Sequence, residues 1–205
     1  MSQPLYIALE GVEGCGKSTQ AQLLADRLGA VLTREPGGTP MGSMVRQILL
    51  DPNTGELEPM AEVLLFNADR VQHLHEVVLP ALQAGQPVVS DRSYVSNCVY
   101  QGHARGLGAD YVRSVCSLVV TELFPHRIFV LDVDLADSMA RISARGGELD
   151  RFEQEGAEFH AKLVEGFRIE AQKGLPGQFV FIDGRGSVEE VQQSIWAHVE
   201  PLQAA

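Results

Sequence analysis

Apolar and polar positions along this chain alternate between two textures. Five short apolar-rich runs, at 5–9, 30–33, 88–91, 128–131 and 179–182, end in polar or glycine-bearing turns. Runs of that length with no polar alternation are the mark of strands buried on both faces. Between them, apolar residues recur three and four positions apart, as on a helix with one buried face. Ala21, Leu24, Ala25 and Leu28 mark the first such helix, and Gly29 stops it. Met44, Val45, Ile48 and Leu49 mark a second, which ends before the loop formers Asp51-Pro52-Asn53-Thr54-Gly55. Pro59 suits a first helical turn, and the stripe Val63, Leu64, Val71, Leu74, Val77 and Val78 predicts a long third helix with a kink at Pro80 and an end at Gly85. The segment 92–108 reads as mixed helix and glycine-bearing loop. Further helices are predicted over 110–123, near 136–145 and over 152–173. A last helix opens with the capping box Ser187 and Glu190 and carries Val188, Val191 and Ile195 as its stripe.

Strands that alternate with helices predict an α/β fold, with one five-stranded parallel sheet covered by helices on both faces. No repeat or break in composition divides the chain, so residues 1–205 read as a single domain.

The net charge of −11 disfavours a general nucleic-acid binder, which needs a basic face. Anionic ligands must instead be met by local arginines. No apolar run approaches a membrane span, and the N-terminus has no basic segment before an apolar one. Cys15, Cys98 and Cys116 lack metal-ligand spacing. The expectation is a cytoplasmic protein with reduced thiols and no membrane or nucleic-acid partner.

Gly11-Val12-Glu13-Gly14-Cys15-Gly16-Lys17-Ser18 reads GxxxxGK[ST], with a predicted strand before it and a helix after. This is a P-loop in the context that gives it a mechanism: backbone N–H groups close around phosphate oxygens at a helix N-terminus. These residues and Thr19 are the candidate ATP site. Lys17 would reach the β- and γ-phosphates and Ser18 would ligate Mg²⁺. Cys15 reads as a small filler. The strand Val88-Val89-Ser90-Asp91 ends in a carboxylate, which makes Asp91 a second candidate for holding Mg²⁺.

Arg92 lies just beyond that carboxylate, at the sheet edge where open α/β folds bind ligands, and an arginine there can grip an acceptor phosphate. Asn97 and Gln101 follow closely and can read a base edge. Arg145 and Arg151 flank the stretch Gly146-Gly147-Glu148-Leu149-Asp150, which suggests a lid near 141–153 that brings positive charge to phosphoryl transfer. Arg141 reads equally well as a solvated helix residue. A kinase with a phosphate acceptor needs no strong general base, because the acceptor oxygen is already anionic; positioning and charge neutralisation suffice.

Several blocks together resemble the bacterial thymidylate kinases. They are residues 10–18, Thr33-Arg34-Glu35-Pro36-Gly37-Gly38-Thr39, Leu65-Phe66-Asn67-Ala68-Asp69-Arg70, Asp91-Arg92 with 96–102, and residues 145–151. The resemblance implies ATP-dependent, Mg²⁺-assisted phosphorylation of dTMP to dTDP in dTTP biosynthesis, by a homodimer of P-loop NTPase fold. It implies Lys17, Arg92, Arg145 and Arg151 as catalytic residues. For dTMP it implies Arg34 and Arg92 on the phosphate, Glu13 on the deoxyribose side and Phe66 stacked on thymine. Arg70 would bond a thymine carbonyl, Asn97 or Gln101 would read the base edge, and Tyr100 would crowd a ribose 2′-hydroxyl. Arg185 would lie beside adenine. With Gly14 and Cys15 in the P-loop and arginines in the lid, the chain is similar to the lid-arginine type. It departs from the family in Asp91-Arg92-Ser93, where Asp-Arg-Tyr is common, and in its double glycine at 146–147. The alternatives are a deoxynucleoside kinase with Glu10 or Glu13 as base, another nucleoside monophosphate kinase, and a nucleotide-binding protein without catalysis.

Overall fold

In a computed structural model, residues 4–120, 123–173 and 178–203 are described. Their centre is a five-stranded sheet made of β1 (Tyr6–Glu10), β2 (Val31–Arg34), β3 (Val88–Asp91), β4 (Arg127–Asp132) and β5 (Phe179–Asp183). All pairings are parallel, in the order β2-β3-β1-β4-β5. Every residue of β1 is buried, which requires cover on both faces of the sheet. Ile7, Leu9, Val89 and the run Ile128, Phe129, Val130 and Leu131 make its interior.

The register matters for the site. Leu9 and Arg34 both pair with Asp91, so the carboxyl ends of β1, β2 and β3 finish level. The P-loop, Arg34, Asp91 and Arg92 therefore meet at one edge.

Helices stand where the periodicity predicts them, but Met44 and Ile48 of the second expected stripe and Leu64 and Val71 of the third are exposed. α1 (Lys17–Leu28) ends at Gly29, whose φ of 61° lets its N–H close onto Ala25 and Asp26 carbonyls. α2 (Pro40–Leu50) has Pro40 in its first turn and Thr39 as N-cap, whose hydroxyl accepts from Gly42 N–H at 2.9 Å. α3 (Pro59–His73) continues through a wide π turn, Leu74–Val78, into α4 (Leu79–Gln83). The expected kink at Pro80 takes this form: proline has no N–H for an i−4 carbonyl, and the helix widens ahead of it. α5 (Tyr94–Asn97) runs into a second π turn, Cys98–Ala104, and α6 (Ala109–Val120) follows; the predicted helix end at 121–122 lies outside the described residues. α7 (Leu135–Arg145), α8 (Ala157–Gln172) and α9 (Val188–Gln203) complete the cover.

Three expectations need adjustment. Strands β1 and β2 run on to Glu10 and Arg34, charged residues that hydropathy excluded. α8 starts at Ala157, not at 152, because Asp150 Oδ1 accepts from Phe152 and Glu153 N–H groups at 2.9 Å each and closes a separate turn. On α9 the capping box forms, with Ser187 N–H on Glu190 Oε2 at 2.8 Å and Glu190 N–H on Ser187 Oγ at 3.2 Å, but Val188 is exposed and the buried stripe is Val191, Ile195 and Val199.

Candidate active site

The P-loop is shaped by close packing. Gly14 has φ 71°, and a Cβ there would lie 2.7 Å from the Ser138 carbonyl of α7, so only glycine fits. Ser138 Oγ in turn donates to the Glu13 carbonyl at 2.8 Å and ties the loop to α7. Cys15 is buried, and burial pushes its thiol up from its ordinary value, so it is the inert filler that the sequence implied. Lys17 Nζ donates to Val12 O at 3.2 Å. Ser18 Oγ donates to Asp91 Oδ2 at 2.5 Å, while Asp91 Oδ1 is buried with no partner. A hydroxyl and a carboxylate this close, with one carboxylate oxygen unsatisfied, form a hard-oxygen donor set that fits Mg²⁺.

Arg92 has φ 79°, a conformation that side-chain-bearing residues rarely adopt. It is held on all sides. Its N–H donates to Leu9 O at 2.9 Å and its carbonyl accepts from Ser90 Oγ at 2.8 Å. Its guanidinium reaches Gly11 O at 3.1 Å, Ser96 Oγ at 2.9 Å, Glu13 Oε1 at 2.8 Å and Tyr100 Oη at 3.0 Å. Burial raises the Glu13 carboxyl, but Arg92, Lys17 and the Tyr100 hydroxyl outweigh it and hold Glu13 below the usual range. Ser93 caps α5 and donates through both N–H and Oγ to Glu10 Oε1 at 2.8 Å. Ser96 adds N–H at 3.2 Å and Oγ at 2.6 Å. Glu10 is thus a fully buried anchor for the turn beyond Arg92.

A cleft of about 400 Å³ opens between this edge and α2, α3 and α5. Its inner wall is a buried polar network. Glu35 receives Arg70 Nε at 2.8 Å and His73 Nδ1 at 2.9 Å. Burial raises the Glu35 carboxyl, and the Arg70 charge and the His73 hydrogen bond more than reverse this, so it sits below its ordinary value. Arg70 also donates to Asn67 Oδ1 at 3.1 Å and Asn97 Oδ1 at 2.7 Å; Asn97 Nδ2 donates to Gln101 Oε1 at 3.0 Å. Phe66 faces Phe152 with centroids 6.2 Å apart, and Tyr100 meets Phe152 edge-on at 5.5 Å. Arg34 and Arg46 complete the mouth. Burial, with the charges of Arg34 and Arg92, depresses the Arg46 guanidinium, which marks a concentrated positive field where an anion is expected to bind.

Over the cleft, Arg145 NH2 donates to both Glu153 oxygens at 2.9 Å and remains half-exposed. Arg141 donates to Gly184 O at 3.0 Å. Arg151 turns elsewhere, to Leu49 O at 2.8 Å and Glu62 Oε1 at 2.6 Å.

A phosphate loop, an arginine-rich anion pocket and a buried amide wall in one cleft match a known family. The family model described as thymidylate kinase covers residues 9–195. The chain belongs to the thymidylate kinase family. The thymidylate kinase of Deinococcus radiodurans is 42% identical over 204 residues, spanning 97% of this chain and 98% of that protein. That of Syntrophotalea carbinolica is 40% identical over 201 residues, with 93% of each chain covered. A crystal structure of thymidylate kinase from Ehrlichia chaffeensis superposes with a TM-score of 0.79 at 27% identity, over 98% of this chain and 100% of that one.

The cleft brings most of the sequence-predicted residues together. Glu13, Gly14, Gly16, Lys17, Ser18, Thr19, Asp91, Arg92 and Arg145 line it, as do Arg34, Phe66, Arg70, Asn97, Tyr100 and Gln101. Gly11, Val12 and Cys15 shape the loop from behind. Besides these three loop residues, two further expected residues are absent from the lining. Arg151 is held by Glu62 behind the cleft wall, and Arg185 is exposed and folded onto Asp183 at 2.7 Å. Arg46, Arg141 and Phe152 line the cleft and were missed. Arg46 left a signal: it is the only charge on α2.

Proposed function

We propose that this member of the thymidylate kinase family divides its cleft between two nucleotides. The reaction is the ATP-dependent phosphorylation of dTMP to dTDP, on the route to dTTP. On the donor side, the loop around Gly14 and Gly16, with Lys17, Ser18 and Thr19, holds the ATP phosphates. Ser18 and Asp91 would hold Mg²⁺, which supplies charge neutralisation on the donor phosphates when bound. On the acceptor side, Arg34, Arg46 and Arg92 hold the dTMP phosphate, Phe66 stacks on thymine, and Arg70, Asn97 and Gln101 read the base. Glu13 and Tyr100 face the deoxyribose.

The observation that carries this reading is Arg92. One guanidinium touches the P-loop carbonyl of Gly11 and the acceptor-side Tyr100 hydroxyl together, so the two substrates meet across it. Its anchored backbone keeps that charge in place without reorganisation. Arg145 neutralises the transferring group once it leaves Glu153. No side chain is needed to deprotonate a phosphate acceptor. The deoxynucleoside kinase alternative does need a base, and its candidates are occupied: Glu10 accepts from Ser93 and Ser96, and Glu13 from Arg92 and Tyr100.

No helix among the described residues is long and apolar enough to cross a membrane, and the cytoplasmic location is part of the proposal. A homodimer is supported by Leu64 and Val71 on α3 and Tyr111 and Leu118 on α6, large apolar side chains exposed on neighbouring helices.

Two substitutions test the division. Arg70→Ala raises KM for dTMP and leaves KM for ATP within about twofold, whereas Lys17→Ala cuts kcat by roughly a hundredfold or more in a folded protein. Equal loss of both substrates in Arg70→Ala contradicts base reading, and near-normal turnover in Lys17→Ala contradicts the phosphate role.

A further inference from the structure

The buried network behind the acceptor pocket does not end at Gln101. Gln101 Nε2 donates to Glu62 Oε2 at 2.8 Å. The other oxygen of Glu62 accepts Arg151 NH1 at 2.6 Å and Arg105 NH2 at 3.4 Å. Glu62 is wholly buried on α3, and its partners come from two other segments, one holding Gln101 and Arg105 and the other Arg151. Arg151 is fixed again by its backbone N–H on Leu50 O at 2.9 Å and its Nε on Leu49 O at 2.8 Å, both at the end of α2. Next to it, Phe152 enters the cleft between Phe66 and Tyr100. The C-terminal half of the 141–153 segment is therefore docked on the acceptor wall, while its other half is the end of α7, held by Arg141 on Gly184 O at 3.0 Å, and Gly146 and Gly147, both with positive φ, join the two.

We infer that Glu62 is a positioning residue that joins base recognition to the docked half of the lid. Resting on the dTMP kinase reading above, this gives Arg151 a different task from Arg145. Arg151 anchors Phe152 against the acceptor, and Arg145 serves the phosphates. The carboxylate also sets the sense of the amide chain. An acceptor at Glu62 makes Gln101 present its N–H outward and its oxygen to Asn97, which in turn offers its own oxygen to Arg70. A neutral amide at position 62 keeps its one oxygen for the two arginines and turns its NH2 toward Gln101 Nε2, donor against donor, which allows Gln101 to turn over. Removing the carboxylate should therefore be felt in dTMP binding, although Glu62 does not line the cleft.

The test is steady-state kinetics on Glu62→Gln, Arg151→Met and the double variant, with thermal melting as the check on folding. Each single variant raises KM for dTMP about tenfold, equivalent to ~1.4 kcal/mol, and keeps KM for ATP within about twofold. The double variant is no worse than the poorer single one, because both remove the same connection. Trypsin cleaves after residue 151 faster in Glu62→Gln than in the wild type. A folded Glu62→Gln with wild-type KM for dTMP overturns the inference. So does an Arg151→Met that loses kcat while keeping KM for dTMP, since that is the behaviour of a phosphate ligand. If Glu62→Gln does not fold, Arg151→Met alone decides by the same criterion. Failure of the wild type to turn over dTMP is a separate result and defeats the parent reading instead.

Discussion

Glu35→Gln perturbs the acceptor wall with almost no change in shape. Glu35 is about as deep as a carboxylate can be, and its two oxygens receive Arg70 at 2.8 Å and His73 at 2.9 Å. Glutamine keeps one acceptor and the volume but leaves the buried Arg70 guanidinium without its counter-charge. Removing one partner of a buried pair costs about 3–5 kcal/mol, and a shape-conserving amide places this change near ~3 kcal/mol. In a protein of this size that lowers Tm by about 6–12 °C. On the proposed reading, in which Arg70 reads the base, KM for dTMP rises with it while KM for ATP stays. The pH dependence has a definite sign. The Glu35 carboxyl in the folded protein lies below its ordinary value, so its contribution is full above the unfolded pKa of about 4.3 and is lost as pH falls through the folded pKa. The Tm gap between wild type and variant is therefore constant near neutrality and narrows only in that acid range. Melting curves followed by circular dichroism across pH, with initial rates at neutral pH, measure all three effects. A Tm within about 2 °C of wild type, together with unchanged KM for dTMP, refutes the claim that this pair organises the acceptor wall.

Two further outcomes follow from the geometry. Gly14→Ala forces a Cβ to 2.7 Å from the Ser138 carbonyl in a loop at φ 71°, so ATP affinity falls by about tenfold or more while melting moves little; a nucleotide titration by fluorescence reads this, and wild-type affinity denies the close packing of loop on α7. Arg145→Met lowers kcat by roughly 10²–10³ and leaves KM for dTMP within about twofold, and a kcat near wild type removes Arg145 from phosphoryl transfer.

Much of this molecule was legible because its local and global signals agree. Apolar-rich runs located all five strands, and the P-loop fixed which sheet edge carries the chemistry. What periodicity could not read were charged residues buried inside elements. Glu10 and Glu62 are fully buried and look, in sequence, like strand-end and helix-surface acids. Their partners lie 83 and 39 residues away, beyond the reach of any local pattern. The lid shows the same limit. Arg145 and Arg151 are equivalent by spacing, yet one lies over the cleft and the other is pinned to α2 and α3 by contacts 102 and 89 residues distant. Arg141, on the face of α7 turned to the P-loop, could not be told from a solvated arginine until that packing was seen.

The most direct measurement is a screen of nucleoside monophosphates, with thymidine included, as acceptors with ATP and Mg²⁺, following ADP release and identifying the product. The account predicts dTDP from dTMP with the highest kcat/KM of the set and no turnover of thymidine. Phosphorylation of thymidine without phosphorylation of dTMP, or a clear preference for another monophosphate, would contradict it.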